Sequence, residues 1–267
     1  MRDFTLKAYR ELISAFKDKE YKFLTFEEFM TSHADGKTLI LRHDVDEKAW
    51  NALEMAKVEK KLGVKATYFF RIVKQSNVPE VITEIVNLGH EVGYHYEDLA
   101  TAEGDMNKAV ASFRQNLLYF RQFYPVKTVC MHGSSTSKYD NRAIWNEHKL
   151  SDFGLIGEPY LSVDFNKVYY LTDIGRAWDG GRYAVRDVVA NDFGLKMHTS
   201  WQIIDTLKDG LFPPQAMILA HTLWTDNLPQ WYFLQFREYA RNNVKLMAKK
   251  NKTLSRIYGS MVKHYWK

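Results

Sequence analysis

The stretch Leu39-Ile-Leu-Arg-His-Asp-Val-Asp46 sets two carboxylates and an imidazole at the end of an apolar, strand-like run. In extended backbone alternate side chains share a face, so Asp44 and Asp46 point the same way. One of them can bind a metal while its neighbour handles a proton. The same pattern also suits a plain strand end joined to a helix cap, because Glu47 and the run Trp50, Leu53, Ala56 follow.

Outward from this stretch, strand and helix patterns alternate. Thr38 to Arg42 reads as strand, Lys48 to Leu62 as an amphipathic helix stopped by Gly63, and Lys65 to Phe70 as strand again, which makes a βαβ unit. A helix over Pro79–Leu88 stops at Gly89, the strand Glu91–Tyr94 follows, and a long helix fills about 104–123. Thr128–Met131 is strand, residues near Asn141–His148 are helix, and short strands are expected at Leu155–Ile156 and Lys167–Leu171. Trp201–Lys208 is helical, Ala216–Ala220 is a buried strand, and a last helix runs from Leu228 to about Lys250. Before the central stretch, residues 3–18 have helical spacing, Tyr21–Thr25 is strand-like, and Thr25 with Glu28 forms a capping-box pattern. Repeated alternation of this kind implies an α/β fold with parallel strands and helices outside them, either a barrel or an open sheet. No linker rich in Pro, Gly or Ser interrupts it. The expected organisation is one domain over 1–267, with an N-terminal helical addition at 1–37 and C-terminal helices at 228–267.

A chain of 267 residues can hold one large core without disulfides. Cys130 is the only cysteine, which excludes an internal disulfide and fits a reducing compartment. Residues Met1 to Arg10 show no continuous apolar core and no cleavage signal, and no run approaches the ~20 apolar residues of a membrane span. A cytoplasmic protein is therefore expected. The net charge of +5 is small for this length, and its basic residues gather near the C-terminus from Lys245 to Lys267, mixed with Tyr258, Tyr265 and Trp266. That composition suits an anionic polymer, a nucleotide-linked sugar or a membrane surface, or simply a solvated terminal helix. No nucleic-acid motif accompanies it.

The expected strands put Asp44 and Asp46, His95 and Glu97, His132, and His221 each just past the C-terminal end of a different strand, the rim where (β/α) folds assemble their sites. Two histidines and a carboxylate can hold Zn2+ or a similar divalent ion and leave a position open for water. Asp46, His95 and either His132 or Glu97 can supply those ligands. Asp44 is then free to take a proton, and His221 to protonate a leaving group or steady an oxyanion. His43 faces the other side of its strand from Asp44 and, like His90 in a turn, reads as structural.

The combination Arg42-His-Asp-Val-Asp46, Gly63-Val-Lys-Ala-Thr-Tyr-Phe-Phe70, Gly89-His-Glu-Val-Gly-Tyr-His95 and Leu219-Ala-His-Thr222 resembles the polysaccharide deacetylase superfamily, over about Thr38 to Leu223. The resemblance implies a distorted (β/α) barrel, here of about seven parallel strands, and one divalent metal ion, most often Zn2+. It implies Asp44 as general base, Asp46 and His95 as metal ligands and His221 as general acid. One implied ligand is missing: the family's second motif carries another histidine four residues after the first, where this chain has Leu99. His132, in Met131-His-Gly-Ser134, is preferred over Glu97 as its substitute, because Gly133 and Ser134 let backbone and hydroxyl groups approach a substrate. Arg42 is either a pocket wall or an ion-pair partner on the outer face, and Trp224 is expected to shape the substrate end of the cleft.

The expected function is metal-dependent hydrolysis of a non-peptide C–N bond, foremost N-deacetylation of a small carbohydrate or a nucleotide- or lipid-linked amino sugar. Two other readings stay open: a non-catalytic carbohydrate-binding or assembly protein that has lost the usual ligand set, and a hydrolase of a small non-sugar amide.

Overall fold

The structure, a computed structural model, describes residues 2–32, 35–133, 137–179, 189 and 193–250. Helix α1 (Leu6–Asp18), strand β1 (Lys22–Leu24) and helix α2 (Phe26–Thr31) precede the long strand β2 (Thr38–Val45). Then come α3 (Ala49–Leu62), β3 (Thr67–Phe70), α4 (Pro79–Asn87), β4 (Glu91–Tyr96), α5 (Asp98–Thr101), α6 (Met106–Phe120) and β5 (Val129–Met131). The last part holds α7 (Pro159–Ser162), β6 (Tyr169–Thr172), α8 (Ser200–Lys208), β7 (Gln215–Leu219) and α9 (Leu228–Lys250).

All seven strands pair in parallel, six in the order β5-β4-β3-β2-β7-β6 and β1 beside β2 off this path. Strand β2 is long enough to serve two neighbours along one edge. Its residues 38–40 pair with β1 and its residues 42–45 with β3, while β7 pairs along the opposite edge. The N-terminal segment thus contributes a strand to the sheet as well as helices. Among the described residues β5 and β6 do not pair with each other, so the sheet curls as a distorted barrel without closing.

Every residue of β2, β3 and β4 is buried, as parallel strands covered on both faces require. Strand alternation divides the core in two. Leu39, Leu41, Val45, Tyr68, Tyr94 and Ile218 face the helices, whereas Ile40, Phe69, Cys130, Tyr170, Met217 and Leu219 fill the inside of the curl. The capping signals read from sequence form as expected: Thr25 and Glu28 make a reciprocal capping box, and Gly63 ends α3 at φ +69°, a conformation open to a residue without Cβ.

Several boundaries differ from the sequence expectation. Strands β2 and β4 run on to Val45 and Tyr96, so Asp44 and His95 lie inside their strands and only Asp46, Glu97, His132 and His221 lie beyond the ends. A sequence pattern breaks at the first polar residue, but these polar side chains find partners inside the curl and the ladder continues past them. The strand expected at Leu155–Ile156 is a single bridge between Thr128 and Gly157. The helix expected near Asn141–His148 is two 3-10 turns, Asn141–Asn146 and Leu150–Phe153.

Candidate metal centre

The period of two along β2 sends Arg42 and Asp44 inward and His43 outward, and Asp46 continues the inward series. Strand register sets Asp44 beside Phe69 and His95 beside Cys130. Gly93, two residues before His95, keeps this interior passable: a Cβ there would run into the Phe69 ring and stand 2.9 Å from the Thr128 carbonyl oxygen.

Three ligand-type atoms converge at the strand ends. Asp46 Oδ1 lies 3.3 Å from His95 Nε2 and 3.1 Å from His132 Nδ1, and the two ring nitrogens are 3.3 Å apart. The edges of this triangle are close to the ~3.3–3.4 Å that separates ligands on a tetrahedral ion with bonds of about 2.0–2.1 Å. Asp46 keeps about a third of its side chain exposed, yet Oδ1 is fully buried and has no hydrogen bond of acceptable geometry despite its two close neighbours. A buried, unpartnered carboxylate oxygen facing two imidazole nitrogens at these distances fits a cation. The chemistry of the donors, two imidazoles and one carboxylate, fits a zinc-like divalent ion.

The histidines are oriented for this. His95 Nδ1 lies 2.9 Å from the Cys130 carbonyl oxygen, so Nδ1 carries the proton and Nε2 presents its lone pair to the centre. His132 is anchored through its backbone: its N–H donates to Tyr96 O at 2.8 Å and its carbonyl accepts from Asn141 Nδ2 at 2.9 Å. Burial favours a neutral Asp46, but His132 and then His95 overcome it and hold the carboxyl well below the usual range. Burial likewise opposes charge on His95, and is outweighed by Asp44 and Asp46, which raise it. The site therefore draws positive charge to the point where the three atoms meet.

Glu97, the other candidate third ligand, is gripped by Arg71, whose Nε donates to Oε1 at 3.0 Å and whose Nη2 donates to Oε2 at 2.8 Å. It stands behind His132, with Oε2 4.0 Å from His132 Nε2. Leu99, at the position of the missing family histidine, is buried in α5. Asp44, His95 and Cys130 form a second ligand-type group. Its Cys130 Sγ accepts from Arg42 Nη1 at 2.8 Å, and that guanidinium opposes a further cation.

Arg42 is fully buried under Asp44 inside the curl and is not on the outer face. It lies 3.5 Å from Asp44 Oδ2 and donates to Tyr160 OH at 2.7 Å. Burial works against its charge, but Asp44, Cys130, Tyr160 and Tyr170 outweigh the penalty and keep it ionised. Asp44 Oδ2 is 3.8 Å from His95 Nε2, and its Oδ1 is buried with no hydrogen-bond partner.

His221 comes from the far side of β2, two residues past β7. Its Nδ1 is 2.7 Å from Asp173 Oδ1, which also accepts its backbone N–H at 2.9 Å. Burial lowers the ring, yet Asp173, with Asp46 and Asp44 adding to it, pushes His221 up to about 10. Trp224 departs from expectation: it is fully buried against Phe4 and Tyr9, and its Nε1 donates to Asp173 Oδ2 at 2.9 Å, so it supports Asp173 and lines no cleft. Ser134 lies outside the described residues. Asp173, Arg71 and Tyr160 were missed in the sequence. Asp173 follows β6 directly, so the strand-end rule would have found it had that strand been drawn one residue longer. His43 and His90 are structural, as read: His43 bonds Glu59 Oε1 at 2.8 Å, and His90 Nδ1 accepts from Ala66 N at 3.2 Å.

No family model matches this chain, and neither does any curated protein. Solved structures similar to it include a CE4 family pseudoenzyme from Bacillus anthracis, at 16% identity over 78% of this chain and 63% of that one, with a TM-score of 0.42. A family 4 carbohydrate esterase from Bacillus anthracis is similar at 13% identity over 86% and 84% of the two chains (TM-score 0.41), and a CE4 esterase from Streptococcus mutans at 13% over 79% and 83% (TM-score 0.43). The chain spans 63–65% of the length of the pseudoenzyme structures. No residue role follows from likeness at this level.

Proposed function

We propose that the protein is a metal-dependent hydrolase that removes an acyl group, acetyl foremost, from the nitrogen of an amino sugar in a small or carrier-linked glycan precursor. The observation that carries this reading is the convergence of Asp46 Oδ1, His95 Nε2 and His132 Nδ1 at mutual distances of 3.1–3.3 Å. In this reading those three residues hold one divalent ion, with zinc the best match to the donors. When bound, the ion polarises the amide carbonyl and makes the proton of a water easier to remove.

The chain's own groups supply the proton transfers. Asp44 accepts the proton at Oδ1, an oxygen with no hydrogen bond to break, while Arg42 beside Oδ2 holds the carboxyl group in place. His221, held at Nδ1 by Asp173, stays protonated at neutral pH and donates from Nε2 to the departing amine. An open carboxylate oxygen to take one proton and a protonated imidazole to give another are the two groups that amide hydrolysis needs. The sugar assignment rests on the motif resemblance, and a cytoplasmic setting on the lone, buried Cys130. A complete set of three donors, with His132 in the third place, favours the hydrolase over a binding protein.

Protein purified without a metal-binding tag is expected to carry about one divalent ion per chain and to release acetate from N-acetylated amino sugars. A chain that neither retains nor takes up metal overturns the reading. Stoichiometric metal with turnover of small non-sugar amides alone would replace its substrate class.

A further inference from the structure

Helix α9 is amphipathic in the wrong sense for a helix that serves only to cover the core. Of twelve exposed large hydrophobic side chains among the described residues, seven stand on α9. They include Leu228, Tyr232, Phe233, Phe236, Tyr239 and Met247, with Phe236 74% and Tyr239 67% exposed. The face that meets the body is largely polar: Trp231 Nε1 donates to Asp3 O at 2.7 Å, Asn242 Nδ2 to Gly175 O at 3.0 Å, and Arg237 pairs with Glu47 at 2.6 Å. An ordinary surface helix turns its apolar stripe inward, so a cluster of exposed aromatic rings this concentrated marks a contact surface.

The charge of the same segment says what kind of contact. Residues 228–267 contain nine Lys and Arg and one acidic residue, Glu238, a net of +8. Taken from the chain's 37 basic and 32 acidic residues, this leaves 28 and 31 for residues 1–227, a net of −3. The body is thus mildly acidic and the charge is segregated into the segment that carries the apolar face. Arg237 and Arg241 are held in ion pairs with Glu47 and Glu238, so the charge for phosphate headgroups comes from the Lys and Arg later in the segment; together with the exposed aromatic and aliphatic side chains these give the composition of an interfacial anchor. Two copies pairing through this segment would instead bring +8 against +8.

We infer that α9 and the basic sequence after it dock the protein on an anionic phospholipid surface, with Tyr232, Phe233, Phe236 and Tyr239 entering the interface. No helix among the described residues is long and apolar enough to cross a membrane, so the association is peripheral and salt-sensitive. The inference does not depend on the hydrolase reading.

The test is co-sedimentation of the full chain with phosphatidylcholine vesicles and with vesicles that also contain phosphatidylglycerol. Partitioning to the anionic vesicles is expected to exceed that to neutral ones by about tenfold or more and to fall steeply with added salt. Phe236→Ser with Tyr239→Ser, at positions too exposed to support the fold, is expected to abolish binding with an unchanged thermal melt. Lys252→Glu with Lys263→Glu should weaken binding to anionic vesicles alone. No binding at low salt, or binding indifferent to Phe236 and Tyr239, overturns the inference. So does self-association that the serine variant abolishes without any vesicle binding, an outcome that would give the face to a second copy of the chain.

Discussion

His221 Nδ1 sits 2.7 Å from Asp173 Oδ1, and the partners come from the ends of neighbouring strands β7 and β6. Trp224 holds the other carboxylate oxygen at 2.9 Å, so the aspartate cannot swing away and the imidazole keeps one orientation. Burial alone would strip the ring of its proton; Asp173 reverses that and pushes His221 up to about 10.

Replacing Asp173 with Asn keeps the shape and removes the charge. Asp173→Asn is expected to return His221 toward its ordinary titration range and to lower turnover about 10²–10⁴-fold, the usual contribution of a positioned acid. A step that needs protonated His221 should in the wild type persist to alkaline pH and fail only near the raised value; in the variant it should fail near neutrality. Proton NMR titration of His221 beside the rate–pH profile checks both. An unchanged titration would show that Asp173 does not set the state of the ring.

The metal centre makes a prediction free of any assay for activity. Adding Zn2+ at about 100 times its dissociation constant should stabilise the wild type by about 2.7 kcal/mol, visible as a higher melting temperature that chelator reverses. Asp46→Ala and His132→Ala are expected to lose this gain. Glu97→Gln, which acts only through His132 and Arg71, should keep a single ion at about 10–100-fold lower affinity. If Glu97→Gln lost the ion outright while His132→Ala kept it, the two residues would exchange roles.

Glu59 anchors a buried polar cluster on the outer face of β2. It bonds His43 Nε2 and Tyr68 OH, each at 2.8 Å, and accepts from Tyr9 OH as well. Because His43 also reaches the Ala220 carbonyl at 2.8 Å, the cluster ties the strand carrying Asp44 to the loop carrying His221. Glu59→Ala should cost about 3–5 kcal/mol in urea unfolding, since it strands a buried imidazole. Burial raises this carboxyl, but His43 and then His90 outweigh it and hold it below its usual 4.5. A carboxyl lowered on folding adds stability above its unfolded value, and that stability is lost as pH falls through the folded one. Glu59→Gln should remove this acid-side slope.

Glu158 shows the opposite sign. It is fully buried at the start of α7, and burial pushes it up to about 7 even though the backbone N–H groups of Met131 and Leu161 and the charge of Arg42 oppose the rise. The folded chain therefore favours its protonated form, a contribution fully present below about 4.5 and lost as pH rises through about 7. The difference amounts to about 3 kcal/mol. Glu158→Gln should flatten wild-type stability between these pH values, as measured by denaturant midpoints at several pH values, and equal slopes in the two proteins would contradict the assignment.

Much of this was legible in the residues. The βαβ rhythm, Gly63 as the end of α3 and the Thr25–Glu28 cap follow from local preferences that each act over a few residues. The inward run of Arg42, Asp44 and Asp46 follows from strand periodicity alone. Asp173 follows from the strand-end rule only once β6 extends to Thr172, and Arg71 and Tyr160 were not legible, because nothing near them in the chain shows that they meet Glu97 and Arg42.

What the sequence by itself determined is the alternation of strands and helices and the choice of chemistry-bearing side chains at strand ends, since both depend on short-range periodicity and residue type. What only the tertiary structure decided is which of those side chains share a point in space. His132 rather than Glu97 turns a ring nitrogen toward Asp46 and His95 because β5 lies beside β4 in register, while Arg71 folds back to claim Glu97. Trp224 is buried rather than open because α1 and Asp173 close over it. Such outcomes depend on contacts between residues far apart in the chain, and no local pattern encodes them.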